Sequence, residues 1–395
     1  NRYGNFWSAG LGWNIHNESF VTSSKIDILK IRGSLGYTGK VNFSPFQAMT
    51  MYQFSGDLEY LNGIGAVPQG IGNEDLGWER ELSYNLGTDI SLFDRRLNFT
   101  FDIYLKKTTD LVLDASRAPS TGTTSAKENI GEMENKGLEF QVDGMLVQRN
   151  DFYWQVAATG SMNRNRILKI NSALKKANED ANKVDSKTPL AQYEEGESTT
   201  ALKVVKSAGI DPATGQEVFI KLNGERTFEY SADDKFVIGD TEPRFRGTVS
   251  TNLFYKGFSL YLLGRYECGA YLYNETRATK VEGANPKKNA DKRVFDSRWK
   301  NPGDIAFYKD IADSDGWGTN PKHSDRFVEK ENVFTLGTVN FGYEFGQNIC
   351  SKIGVRNLRV GVNLTDIVRW SNVKIERGTS YPFARTFSFS LQVMF

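Results

Sequence analysis

Apolar and polar residues alternate along much of the chain with a period of two. In residues 96–107, Leu97, Phe99, Phe101, Ile103 and Leu105 fall on one face and Asn98, Thr100, Asp102, Tyr104 and Lys106 on the other. Successive strand side chains point to opposite sides, so the spacing predicts a strand with one oily and one wet face. Just upstream, Leu82, Tyr84, Leu86, Ile90 and Leu92 alternate with Ser83, Asn85, Gly87, Asp89 and Ser91, and the turn Phe93-Asp94-Arg95-Arg96 closes a hairpin. A second hairpin joins Leu138, Phe140, Val142 and Leu146 through Gln148-Arg149-Asn150-Asp151 to Phe152, Trp154, Val156, Ala158 and Met162. A third turns at Lys256-Gly257, between Val249, Leu253 and Tyr255 on one side and Phe258, Leu260, Leu262 and Tyr266 on the other.

Further strands near 5–16, 25–37, 333–345, 357–366 and 385–395 bring the total to about eleven. Short turns alternate strictly with long polar connections at about 38–82, 108–136, 165–244, 268–332 and 367–384. All long connections therefore leave from one end of the strands, as in a transmembrane barrel with short periplasmic turns and long extracellular loops. A soluble sandwich shares the alternation, its apolar face being core. Long loops confined to one end, a wet face rich in Asn, Thr, Ser, Asp, Lys and Arg, and aromatics near strand ends (Trp13, Phe93, Phe152, Trp154, Tyr255, Phe258, Tyr343, Phe345) favour the barrel. The last strand aligns Phe387, Phe389, Leu391, Val393 and Phe395 on one face, and Phe395 reads as an aromatic barrel-assembly signal.

Composition narrows the function classes. No apolar run approaches the roughly 20 residues of a membrane-spanning helix, whereas barrel strands need only about 9 to 11 and alternate, which is compatible with a mean hydropathy of -0.47. With 49 Lys plus Arg against 48 Asp plus Glu the formal charge is +1, giving no global field for nucleic acid. Two cysteines, Cys268 and Cys350, and two isolated histidines, His16 and His323, supply neither a disulfide framework nor a zinc site. Aromatics at 13% and 37 glycines fit β structure with many bends. There is no initiator Met and no signal-peptide pattern at Asn1, so the N-terminus reads as a processed or cut end.

Several segments resemble the C-terminal part of SusC/RagA-type TonB-dependent transporters. They include RYGNFWSAGLGWNIHNESF from Arg2, LKIRGSLGYTG from Leu29, NEDLGWERELSYNLGTDISLFDRRLNFTFDIYLKKTTDLV from Asn73 and NIGEMENKGLEFQV from Asn129. Later come GDTEPRFRGTVSTNLFYKGFSLYLLGRYECG from Gly239, SDRFVEKENVFTLGTVNFGYEF from Ser324 and ERGTSYPFARTFSFSLQVMF from Glu376. The resemblance implies an all-β fold, with residues 1–395 as about the C-terminal half of a large antiparallel barrel and its plug domain absent from the chain. It also implies active import of an oligosaccharide or a peptide across the Gram-negative outer membrane, with no catalytic residues and no cofactor. The implied partners are the N-terminal barrel half and plug, a SusD-like surface lipoprotein, the TonB complex acting through the plug, and the lipid bilayer. The strands near 5–16 and 385–395 are expected to pair with that N-terminal half. An outer-membrane adhesin or assembly barrel, and a soluble all-β carbohydrate-binding module, are the alternatives.

Site candidates follow from residue chemistry. Trp299, Tyr308 and Trp317, with Arg298 beside the first, suit stacking on sugar rings or peptide apolar groups, or anchoring of the loop 268–332. Lys30, Arg32, Asp102, Lys106 and Arg359 are placed on the wet face, lining the lumen for a solute or bridging to the plug. Asp310, Asp313 and Asp315 superficially suggest calcium, without the ligand spacing or closing Glu of an EF-hand. Glu194, Glu195 and Glu197 offer paired carboxylates or a charged loop rim. The turn chemistry of DPATGQEVF from Asp211 and NGE from Asn223 predicts a hairpin within 165–244.

Overall fold

The computed structural model describes residues 4–41, 44, 49–60, 63–70, 72–116, 125–129, 131–170, 172–184, 186, 188–285, 287, 289–311, 322–374 and 385–395. Among them, eleven strands form one antiparallel sheet in which every strand pairs with its neighbour in the sequence of the wall. They are β1 (Trp7–Asn14), β2 (Ile26–Lys40), β3 (Glu79–Leu92), β4 (Leu97–Thr109), β5 (Gly131–Arg149) and β6 (Phe152–Ile170). The rest are β7 (Phe245–Tyr255), β8 (Phe258–Tyr273), β9 (Val328–Glu344), β10 (Asn357–Ser371) and β11 (Thr386–Met394).

The three hairpins predicted from alternation are present, and the wall has the antiparallel barrel architecture expected of the sequence. Local backbone chemistry explains the tightness of the turns. Phe93, Asp94 and Arg95 all adopt left-handed backbone, with φ of 59°, 56° and 59°. That conformation is costly without glycine, and Asp27 offsets part of it by accepting the Arg95 N–H at 3.0 Å. Lys256 (φ 46°) and Gly257 (φ 89°) form a two-residue turn whose positive φ values match the twist of the flanking strands. Neighbouring short turns also bond one another, as when Lys256 N–H donates to the Asp151 carbonyl at 3.0 Å.

Several strands run further than alternation indicates. β8 and β9 continue to Tyr273 and from Val328, inside the 268–332 stretch read as loop. The reason is a β-bulge between Cys268 and Ala270, with Gly269 at φ +80°. A bulge inserts one residue and breaks the two-residue period beyond it. A similar register shift between Ile167 and Lys169 hides the end of β6.

The apolar face carries much exposed hydrophobic surface, including Leu86 (50%), Ile103 (42%) and Phe341 (45%). Aromatics collect at the short-turn end, where Phe152 lies 5.9 Å from Tyr255 and Phe258 lies 4.5 Å from Tyr343 between ring centroids. Phe387, Phe389 and Phe395 of the last segment are exposed. Residues 376–384, including Pro382, lie outside the described residues, which resume at Arg385.

The principal hydrophobic core is not in the wall but in its long connections. Leu202, Val204, Tyr273, Ala278, Val281, Tyr308 and Phe327 form one buried cluster. It joins a four-stranded sheet, built from Ala201–Ile210, Glu217–Ile220, Arg226–Thr227 and Lys235–Asp240, to the β8–β9 connection. The sheet contains the predicted hairpin: Asp211 caps its turn through Thr214, and Gly224 takes φ +88° in the next. It is preceded by a helix, α1 (Ser172–Lys183), whose Leu174 packs on Ile167 and Ile170.

With the apolar face set against hydrocarbon, Ile103→Arg in the assembled receptor should cost about 2–4 kcal/mol. Thr100→Lys on the opposite face should stay within about 0.5 kcal/mol. Denaturant unfolding in lipid vesicles distinguishes the two, and equal effects would invert the assignment of faces.

Candidate functional site

Two regions gather chemistry: the polar face of the wall and the loop core. On the wall, Arg32 of β2 reaches across β3 to Asp102 of β4, with Nη2 donating to Oδ2 at 2.6 Å. Its Nε lies 3.2 Å from Asp89 Oδ2. The register puts Gly87 directly between Arg32 and Asp102. A Cβ at Gly87 would lie 2.7 Å from Arg32 Cζ, so only glycine leaves the guanidinium room to cross the middle strand. The same device recurs where Tyr104 passes over Gly137 and donates to Asn163 Oδ1 at 3.1 Å. Ser91, Asn98 and Asp143 extend this polar ladder across β3, β4 and β5 at 2.7 and 2.8 Å.

Beside it lies an open pocket of about 250 Å³ lined by Thr100, Asp102, Glu139, Gln141, Thr159 and Arg246. Of the residues expected to line the lumen, Arg32 and Asp102 are bonded to each other. Lys106 sits 5.5 Å from the Tyr104 ring centroid, Lys30 is on β2 two positions before Arg32, and Arg359 donates to Ser259 Oγ at 3.2 Å in a distant part of the wall. These five residues share a polar face, not a single site.

In the loops, Arg298, Trp299 and Tyr308 come together but are buried at 6%, 8% and 7% exposure. Trp299 Nε1 donates to the Pro212 carbonyl at 2.9 Å, pinning the β8–β9 connection to the four-stranded sheet. Arg298 donates from Nε to the Val294 carbonyl and from Nη2 to the Val281 and Glu282 carbonyls, at 2.6, 2.6 and 3.0 Å. Burial lowers its pKa against the pull of Glu282, Asp310 and Tyr308. This geometry supports the anchoring role for all three. Asp310 N–H bonds the Gly215 carbonyl at 3.1 Å. Asp313, Asp315 and Trp317 lie outside the described residues, and among the described residues no three His, Cys, Asp or Glu side chains gather as metal ligands.

Sequence patterns do not mark the residue that holds the loop core together. Arg326 is 7% exposed and forks onto two carboxylates, Glu217 at 2.7 Å and Glu282 at 2.8 Å, themselves 6% and 4% exposed. It also donates to the Phe307 carbonyl and packs its guanidinium 4.8 Å from the Phe327 ring centroid. Burial alone would lower the Arg326 pKa, but Glu282 and Glu217 outweigh it and hold the guanidinium charged. A second buried cation, Lys203 (5% exposed), sits 2.7 Å from Glu197 Oε2 and also pairs with Glu194. Glu195 accepts the Ile170 N–H at 3.1 Å. The acidic run is therefore committed to loop structure. Its sequence signal was only the charge of the run; Arg326, 109 residues from Glu217, had none. Arg326→Met should leave two buried carboxylates unpaired at a cost of about 3–5 kcal/mol. Limited proteolysis should then cut within 201–240 or 274–327 while the wall strands stay resistant, and an unchanged cleavage pattern would remove Arg326 from this role.

Comparison with known proteins agrees with the wall architecture. Residues 1–193 match the family described as TonB dependent receptor-like, beta-barrel. The chain is 26% identical to TonB-dependent receptor P39 of Formosa agariphila over 420 aligned residues, covering 94% of this chain and 39% of that protein. It is 31% identical to TonB-dependent receptor SusC of Bacteroides thetaiotaomicron over 182 residues, covering 43% of this chain and 18% of SusC. The RagAB peptide importer in its open-open state superposes with a TM-score of 0.80 at 21% identity, over 100% of this chain and 43% of that one. The chain thus spans about two fifths of the length of the Formosa relative, and nearly all of the chain takes part in that alignment. An eleven-stranded wall with one apolar and one polar face, aligned along nearly its whole length with these receptors, is similar to the barrel portion of the SusC/RagA-like TonB-dependent receptors of the Gram-negative outer membrane.

Proposed function

We propose that this chain forms about half the wall of a plugged outer-membrane importer and contributes a structured block of its extracellular loops. The observation that carries the reading is the unpartnered pair of sheet edges. β1 and β11 each have one neighbouring strand among the described residues and are exposed along their whole length. In hydrocarbon every unsatisfied peptide group costs several kcal/mol, so these edges call for further strands. Barrels of the plugged transporter kind have about 22 strands, and the eleven present here would be completed by a similar number.

In this reading the short turns face the periplasm and the long connections face outward. A SusD-like surface lipoprotein captures an oligosaccharide or a peptide over the loops. The ligand passes to the polar lumen face, where Arg32, Asp102 and Glu139 present charged groups to a solute or to the plug. TonB, acting through the plug from the periplasmic side, opens the path. No step in this scheme requires covalent chemistry on the chain.

Native purification in mild detergent, with identification of every copurifying chain and ligand, tests the proposal. The expected result is a plug-bearing barrel portion, a surface lipoprotein and a retained oligosaccharide or peptide. Recovery with no plug would favour an adhesin or assembly barrel, and recovery in the soluble fraction would overturn membrane insertion.

A further inference from the structure

In the long connections, α1 and the segments around Tyr230 and His323 border an open pocket of about 360 Å³. Its charged lining is cationic. Lys183, Lys235 and Lys322 border it together with His323, and among the described lining residues there is no carboxylate. Of the three ammonium groups, Lys183 lies 3.2 Å from Asp180, which does not line the pocket. Lys235 instead donates to the neutral Asn182 Oδ1 at 2.8 Å. Lys322 Nζ stands 5.7 Å from the centroid of the Tyr230 ring.

The surrounding packing keeps these groups in place. Tyr230 is held by burial, which pushes its phenol up to about 12, so its ring is a fixed neutral wall at ordinary pH. His323 is 9% exposed, with Nε2 on the Ser186 carbonyl at 3.0 Å. Burial, followed by the neighbouring Lys203, lowers the Lys235 pKa. Lys203 belongs to the next strand of the loop sheet, and its charge is met by Glu194 and Glu197. Lys235 has only the weaker attraction of Asp233 to set against these penalties. Gathering cations of like sign around a partly dry cavity is unfavourable unless an anion joins them. Ammonium groups with free donors satisfy an oxyanion through charge-assisted hydrogen bonds.

We propose that this pocket binds a compact oxyanion, the sulfate or carboxylate group of a ligand held by the loops. The proposal goes beyond the import reading, because occupancy of the pocket can be measured whether or not the barrel transports. Lys235 and Lys322 supply the charge, Asn182 orients Lys235, and the Tyr230 ring closes one side. The pocket volume falls at the small end of the range for ligand sites, which suits a single charged group or one charged residue of a longer ligand.

The test is isothermal titration calorimetry on the detergent-purified receptor, at constant ionic strength maintained with chloride. Sodium sulfate and sodium acetate serve as separate probes. Saturable binding of at least one is expected, and the stronger probe identifies sulfate or carboxylate as the group recognised. The double variant Lys235→Gln/Lys322→Gln removes both charges and should weaken binding by at least about tenfold, since losing even one charge-assisted hydrogen bond is worth about that factor. Lys322→Arg, which keeps the charge, should retain it within about threefold. Lys256→Gln at the β7–β8 turn should leave binding unchanged. Absence of saturable binding to both probes, or undiminished binding by the double variant, would overturn the proposal.

Discussion

A peptide group in hydrocarbon has no water to bond, so every N–H and C=O of the wall must find its partner in an adjacent strand. That requirement accounts for the length and continuity of the ladders, which stay paired over as many as eighteen positions between β5 and β6 despite two register shifts. It also fixes which side chains meet which medium. Once pairing is set, the period of two sends Leu97, Phe99 and Ile103 to one side and Asn98, Thr100 and Asp102 to the other. The glycines gain their meaning here. At Gly87 and Gly137 the missing side chain lets polar groups reach across a strand and tie the inner face sideways.

Spending apolar surface on lipid leaves the wall without a conventional core. The principal core among the described residues lies instead in the long connections, where Val204, Val281 and Phe327 are fully buried between the four-stranded sheet and the β8–β9 connection. Burial of these apolar side chains stabilises that block. Orientation within it comes from charge. Arg326 joins Glu217 from one segment to Glu282 from another, and Arg298 and Trp299 use their polar atoms on backbone carbonyls. Buried pairs of this kind add little net stability but penalise every arrangement that separates them. The long connections are therefore a folded block with its own core.

Sequence by itself determined the wall. Alternation gave the three hairpins, the approximate strand total and the two faces, because a half-exposed strand writes its environment into every second residue. It failed where the period was interrupted, at the Cys268–Ala270 bulge and near Ile167, since one inserted residue inverts the pattern. The tertiary structure alone decided the loops. Contacts such as Arg326 with Glu217, Trp299 with Pro212, and Lys322 with the Tyr230 ring join residues roughly 90 or more positions apart. Residue chemistry left Trp299 and Arg298 open as stacking groups or as loop anchors, and only the structure shows both to be buried. Such pairings leave no periodic trace, because they depend on which distant segments the wall brings to the same rim rather than on any local alternation of residue types.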